Sequence, residues 1–234
     1  MPKRPEFSVA PVEAVEEAIE YRFENRALLE EALTHASLDP GSQMERLEFL
    51  GDAVLGAVVA SMLVRAHPNA PEGELTALKA HLVRRSTLLD VAERWRVADA
   101  VRTGLGERDP GGRLRSPSIA SDAVEAVIGA VFLDGGWEAA KALIEREWQA
   151  RIASLRVEDV IDPKTRLQEL TQGRGWGLPE YRVEDRGVGK KLRYRAECFV
   201  QGEALGVGEA PRKKDAERLA AKQALRKLEE ESNA

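Results

Sequence analysis

The chain has 234 residues, 43% of them hydrophobic and 32% charged, with a formal net charge of −5. That length allows one large or two ordinary domains, and that balance excludes a chain disordered throughout. A single cysteine, Cys198, and only three histidines, His35, His67 and His81, exclude an internal disulfide and a thiolate-rich metal site, and argue against a zinc centre.

The first twenty residues, MPKRPEFSVAPVEAVEEAIE, lack the apolar stretch of a signal peptide. The longest apolar run, residues 53–64, is too short to cross a bilayer. The expectation is a cytoplasmic protein with no membrane partner. Charge is divided unevenly along it. Residues 162–234 hold 16 Lys and Arg against 13 Asp and Glu, a net of +3, which leaves −8 for the rest. An acidic front and a basic tail suggest two modules with different tasks.

Helical periodicity runs from 11 to 155, with breaks at 39–41, at 67–71 and across 104–118. Within it, residues 45–52 read ERLEFLGD and continue as AVLGAVVASMLV, with no cation between Arg46 and Arg65. At 100° per residue, Glu45, Glu48 and Asp52 fall within an arc of about 60°, opposite Leu47, Leu50, Val54 and Val58. The break at 104–118, GLGERDPGGRLRSPS, lacks the ending of a phosphate-cradling P-loop and reads as a mobile loop, despite Arg108, Arg113 and Arg115.

A second acidic helix follows in SIASDAVEAVIGAVFLDGG. Asp122 and Glu125 share one face, Val124, Val127 and Val131 the other, and no Lys or Arg occurs from Ser116 to Ala140. Each acidic stripe has a glycine one turn on, Gly56 and Gly129, where a large side chain is expected to crowd the site. Solvated helix faces ordinarily mix Lys with Glu. Four acids gathered near a core lose hydration and repel, unless a cation neutralises them. Oxygen donors without His or Cys favour Mg²⁺, with Mn²⁺ as a substitute. Spacing alone leaves open whether the two helices meet.

A helix over 137–155 closes the acidic module, and RVEDVID, 156–162, reads as a linker. The period then changes. A helix in KTRLQELTQGRG precedes strands near 180–186, 192–200 and 203–207, and a helix over 212–229 ends an α-β-β-β-α order. In the middle strand Leu192, Tyr194, Ala196, Cys198 and Val200 form the buried face, opposite a polar face broken only by Phe199, so Cys198 reads as core. Arg212, Lys213 and Lys214 open the last helix, at the end where its dipole disfavours cations and attracts anions such as phosphate.

ERLEFLGD, DAVEAVIGAVFLDGG and the earlier ALTHAS together resemble the ribonuclease III family. DPKTRLQEL, Pro179, Tyr181 and GEAPRKKDAERLAAKQAL resemble its double-stranded-RNA-binding domain. The resemblance implies an all-α endonuclease domain over 1–155, then a small α+β domain over 163–234, a three-stranded antiparallel sheet with two helices on one face. It implies that Glu48, Asp52, Asp122 and Glu125 bind a catalytic Mg²⁺, with Asp52 and Glu125 indispensable. Glu45 and Phe49 match a dimer junction, where the aromatic ring enters the partner subunit. Thr165, Gln168 and Glu169 are expected at an RNA minor groove, and Lys213 and Lys214 at phosphates across the major groove.

The departures are few. SIASDA stands where SILADA is more usual, Arg212 replaces a common serine, and Gly187-Val188-Gly189-Lys190 replaces a Gly-Pro-x-His loop, so Lys190 offers a phosphate contact instead of an imidazole. His35, in ALTHAS, reads as structural. The expected activity is Mg²⁺-dependent cleavage of double-stranded RNA by a homodimer, without a small-molecule cofactor. Its expected products carry 5′-phosphates, 3′-hydroxyls and two-nucleotide 3′ overhangs, in processing of ribosomal and messenger RNA. Two alternatives stay open: a non-catalytic RNA-binding protein, and an all-helical Mg²⁺-dependent nucleotide pyrophosphohydrolase.

Overall fold

The computed structural model describes residues 10–187 and 191–232. These fall into two compact units that divide between Leu155 and Arg156.

In the first unit the described residues form helices α1 (Val12–Ala18), α2 (Arg26–Ala32), α3 (Met44–Ala66), α4 (Glu72–Leu82), α5 (Arg85–Arg94), α6 (Val97–Ala100) and α7 (Ser118–Ser154), with a 3₁₀ turn at Leu105–Glu107. The breaks expected at 39–41 and 67–71 separate α2 from α3 and α3 from α4. Further breaks between α4, α5 and α6 include Arg96, which adopts a left-handed φ of 59°. Gly136, at φ 74°, interrupts α7, so the helix expected from 137 is its second segment.

α3 and α7 form the centre of this unit. α3 buries Leu47, Gly51, Val54, Leu55, Val58, Val59, Met62 and Leu63, a row at helical spacing. α7 answers with Val124, Val127, Ile128 and Val131, all fully buried. At 23 residues α3 is long and apolar enough to cross a membrane by composition, but its apolar row is spent on α7 and its other side carries acids. Trp148 is fully buried on the second segment of α7 and donates its indole N–H to the Leu82 carbonyl at 3.0 Å.

The loop 104–118 is cross-linked, against the expectation of a mobile segment. Arg108 donates to the carbonyls of Val101 and Gly112, both at 2.6 Å, and Arg115 donates to the Arg108 carbonyl at 3.0 Å. Asp109 accepts from the amides of Gly111 and Arg113. Burial lowers the Arg108 pKa, opposed by the charge of Asp99. Two of the three arginines are thus occupied in holding the loop's own backbone.

The second unit contains α8 (Val157–Val160), α9 (Pro163–Gly173), strands β1 (Glu180–Asp185), β2 (Tyr194–Val200) and β3 (Glu203–Ala210), and α10 (Lys213–Ser232). The stretch 156–162, read from sequence as a linker, carries α8 and is fastened to α10 by ion pairs Glu158–Lys222 (3.4 Å) and Asp162–Arg218 (3.0 Å). Asp162 also caps α9 by accepting from the Lys164 amide, ahead of Pro163 in the first turn.

The sheet is antiparallel in the order β1-β2-β3. Its registers align Tyr181 with Cys198 and Cys198 with Gly206, and Val183 with Ala196 and Ala196 with Gly208. Paired residues share a face, so in these two rows the inner face tapers from a large side chain on β1 to glycine on β3. α10 lies on the small end. A Cβ at Gly206 would collide with the Ala220 carbonyl, and one at Gly208 with that of Ala216. Cys198 is buried in this core. Phe199, on the outer face, lies under the Arg182 guanidinium, 4.2 Å from its centroid.

Candidate functional site

The two acidic helices meet because glycine lets them. A Cβ on Gly51 of α3 would collide with the backbone carbonyl of Glu125 on α7, and one on Gly129 with the carbonyl of Leu47. Gly51 lies between Glu48 and Asp52, and Gly129 one turn beyond Glu125, so the closest approach of the backbones falls at the acids themselves. Gly56, expected to guard this site, has nothing within 4 Å of an added Cβ. Gly56 is half-buried, and a methyl added there would face open space.

Glu48, Asp122 and Glu125 each bring a carboxylate oxygen within 4.8 Å of the others, and all three are half-buried. Asp52 is exposed and stands outside this trio. It remains a neighbour, since its charge is the strongest of those acting on Glu125. Glu45 is exposed and acts on Glu48. Among the described residues no ion pair reaches any of the four expected ligands.

The cost shows in the titration of these groups. Burial first, and then Asp52, Glu48 and Asp122, push the Glu125 carboxyl from an ordinary 4.5 up to about 8. Glu48 is raised by burial and by Asp122, Glu45 and Asp52. Asp122 is raised by burial, against a hydrogen bond from the Ser121 hydroxyl (3.2 Å) and the positive charges of Arg85 and His35. Three hard oxygen donors that repel one another in partial burial fit a divalent cation of the Mg²⁺ type.

A prediction follows for the metal-free protein. A carboxyl whose folded pKa lies above its unfolded value favours the folded state while protonated. That contribution is complete below about 4.5 and is lost as pH rises through about 8. With EDTA present, the melting temperature should therefore fall between pH 5 and pH 8.5. Added Mg²⁺ competes with the proton for the same oxygens, so it should raise the melting temperature more at pH 8 than at pH 6. Differential scanning fluorimetry measures both; a metal increment independent of pH would mean the acids do not share one ion.

Arg85 escaped the reading of the sequence and His35 was read as structural; each belongs to a separate element, and the charge of each acts on Asp122. His35 is held locally, with Nδ1 2.8 Å from the Ser37 hydroxyl and its amide donating to the Arg102 carbonyl at 2.9 Å.

Phe49, on the turn of α3 that bears Glu48 and Asp52, is 80% exposed in the single chain. In the second unit Thr165, Gln168 and Glu169 are exposed on α9, and Arg212, Lys213 and Lys214 are exposed at the start of α10. α9 and α10 pack on each other, so both sets stand on one framework. Lys190 lies outside the described residues.

Comparison with known proteins agrees with this division. Residues 25–152 match the family described as Ribonuclease-III-like, and residues 163–228 match the double-stranded RNA binding motif. A protein of Alkalilimnicola ehrlichii named ribonuclease 3 is 43% identical over 223 residues, covering 94% of this chain and 97% of its own length. Among solved structures, a nuclease domain of ribonuclease III from Campylobacter jejuni is 38% identical, with a TM-score of 0.56, covering 62% of this chain and 97% of that one. A second structure of that domain, described for flexibility in a region involved in dimer formation, is 36% identical with a TM-score of 0.55, covering 64% and 99%.

Proposed function

This chain belongs to the ribonuclease III family, and from that premise we propose that it cuts double-stranded RNA with Mg²⁺ held by Glu48, Asp122 and Glu125. It is a double-strand-specific endoribonuclease with an RNA-binding motif in its second unit. The observation that carries the metal assignment is the convergence of three half-buried carboxylates from two helices with no cation paired to them. Residues 1–155 do the chemistry and 163–234 grip the duplex.

Bound at the trio, Mg²⁺ neutralises phosphoryl charge and makes water more acidic at neutral pH; Mn²⁺, another ion suited to oxygen donors, can replace it. Glu48, Asp122 and Glu125 supply the negative charge that holds the ion in place. Asp52 has a different task. Exposed beside Glu125, it is free to orient the attacking water and accept its proton. Glu125 fixes the geometry between the two, being covered by the α3–α7 crossing. In-line attack then leaves a 5′-phosphate and a 3′-hydroxyl. On the second unit, Thr165, Gln168 and Glu169 meet the minor groove and its 2′-hydroxyls, while Arg212, Lys213, Lys214 and Lys190 meet phosphate.

Two-nucleotide 3′ overhangs require two sites offset across the duplex, which a homodimer supplies. Phe49 and Glu45 are the junction in this proposal. A phenylalanine 80% exposed beside a catalytic cluster is accounted for by a pocket in a partner subunit. Truncating a buried interface aromatic costs about 2 kcal/mol or more, so Phe49→Ala should raise the dimer dissociation constant roughly thirtyfold. Sedimentation equilibrium over a dilution series tests this; a variant as dimeric as wild type at every concentration would remove Phe49 from the interface.

Incubating a long perfect RNA duplex with the protein, in Mg²⁺ and in EDTA, tests the whole reading. Short duplexes should form only with Mg²⁺, and a single strand of the same sequence should stay intact. Ribosomal and messenger precursors with long stems are the proposed cellular substrates.

A further inference from the structure

We propose that Ser121 positions the Asp122 carboxylate for a small octahedral cation, its buried hydroxyl engaging one carboxylate oxygen so that the other is the one offered to the ion. This rests on the metal assignment proposed above for Glu48, Asp122 and Glu125. It adds a positioning residue that is not itself a ligand.

Ser121 lies on α7 in the SIASDA stretch, where the sequence departs from the more usual SILADA. It is 2% exposed, and Ala120, Ala123 and Val124 beside it on the helix are buried as well. Its amide donates to the Pro117 carbonyl at 3.4 Å. Its Oγ lies 2.8 Å from the Ser118 carbonyl and 3.2 Å from Oδ1 of Asp122. One proton thus serves two acceptors, a shared arrangement common near helix termini. Asp122 belongs to the trio whose carboxylate oxygens lie within 4.8 Å of one another. Among the described residues, no group donates a hydrogen bond to the carboxylate of Glu48 or Glu125. Asp122 alone of the three is held by a neighbour.

Two arguments give the hydroxyl a task beyond packing. Alanine would fill this position with a higher helix propensity and no buried oxygen to satisfy, so the stability of α7 does not account for a serine. The second argument is geometric. A carboxylate with both oxygens free can clasp an ion with the pair, which the large and flexibly coordinated Ca²⁺ accepts. Mg²⁺ is smaller and demands near-octahedral geometry. A donor fixed on Oδ1 opposes the two-oxygen clasp and restricts the turning of the carboxylate, so Asp122 is set to serve through one oxygen. Groups that hold a metal ligand in this way commonly account for roughly tenfold or more in affinity.

The test compares Ser121→Ala with wild type. Ser118→Ala is the control: it removes a hydroxyl bonded only to that of Ser116 and leaves the Ser118 carbonyl in place. Melting temperature is measured in EDTA and over separate titrations of Mg²⁺ and Ca²⁺. Single-turnover cleavage of a perfect RNA duplex is followed over the same Mg²⁺ series. In EDTA, Ser121→Ala should melt at the wild-type temperature or above it. Its Mg²⁺ midpoint should rise about tenfold in both melting and cleavage, while its rate at saturating Mg²⁺ stays within a few-fold of wild type. Its Ca²⁺ midpoint should stay or fall, and Ser118→Ala should match wild type throughout. Unchanged midpoints for both ions would overturn the proposal and make Ser121 a packing residue. Equal weakening of both would overturn it too, since the hydroxyl would then have no part in choosing the ion. A wild-type chain that leaves the duplex intact and melts alike with and without either ion would instead sink the metal assignment itself.

Discussion

Glu125→Gln should abolish cleavage, by roughly a thousandfold or more, while leaving duplex binding within a few-fold of wild type. The substitution keeps the volume and shape of the side chain and removes one negative charge from the metal trio. Phosphoryl-charge stabilisation by a bound cation is worth several kcal/mol, and each 1.4 kcal/mol is about tenfold in rate. Glu125 is the acid to choose because it carries the largest burden: burial and three neighbouring carboxylates push it up to about 8. The double-stranded RNA binding motif occupies residues 163–228, in the other unit, so binding should survive. The variant should also melt higher than wild type in EDTA, since the repulsion it removes serves nothing without an ion. Single-turnover cleavage, anisotropy with labelled duplex and a melting curve measure the three effects. Full activity would remove Glu125 from the metal site; loss of duplex binding with the fold intact would show that the two units do not divide the work.

Gly51→Ala should be nearly as damaging to activity, although the residue has no side chain to lose. One methyl group must fit where the Glu125 carbonyl now lies, and that obstacle is backbone, not a side chain that can swing away. The helices must separate, at a cost of about 1–3 kcal/mol, which lowers the melting temperature by roughly 2–4 °C per kcal/mol. Separation also carries Glu48 away from Asp122 and Glu125, so Mg²⁺ affinity should fall with stability. Gly56→Ala is the control on the same helix. Its Cβ would meet nothing within 4 Å, and alanine is favoured over glycine in a helix by about 1 kcal/mol. It should leave activity unchanged and stability equal or higher. Equal damage from the two substitutions would show that the crossing is not what sets the site.

These glycines mark where the sequence stopped being legible. Helical spacing revealed which acids share a face, because period and polarity are local properties. Whether the faces meet is a tertiary matter, decided where two backbones can touch, and the spacing of acids and glycines pointed to Gly56 instead of Gly51. Asp52 shares the stripe of Glu48 yet stands outside the trio, because the helix turns it towards solvent past the crossing. Arg85 was invisible and His35 was read as structural for a related reason: one opens α5, the other lies between α2 and α3, and no period connects them to Asp122. The loop with Arg108 looked mobile from its glycines and prolines, but its hydrogen bonds reach back to Val101, outside the loop. In the second unit the alternation of β2 was readable from Tyr194 to Val200, since an antiparallel strand with one buried face writes its burial into every second residue, but Leu192, expected on that face, lies exposed before the strand begins.

The seating of α10 on β3 has a consequence of another kind. Ala216, Ala220 and Ala224 rest on Gly206 and Gly208 with backbone against backbone, and this contact begins one turn from Lys213 and Lys214. No side chain lies between helix and strand there to compress or to choose another rotamer. The unit therefore behaves as a calliper with a locked jaw. Lys213 and Lys214 keep a fixed position over the sheet because backbone packing seats their helix, and on the reading proposed above a jaw so locked gauges the width of a groove and is indifferent to the letters written inside it.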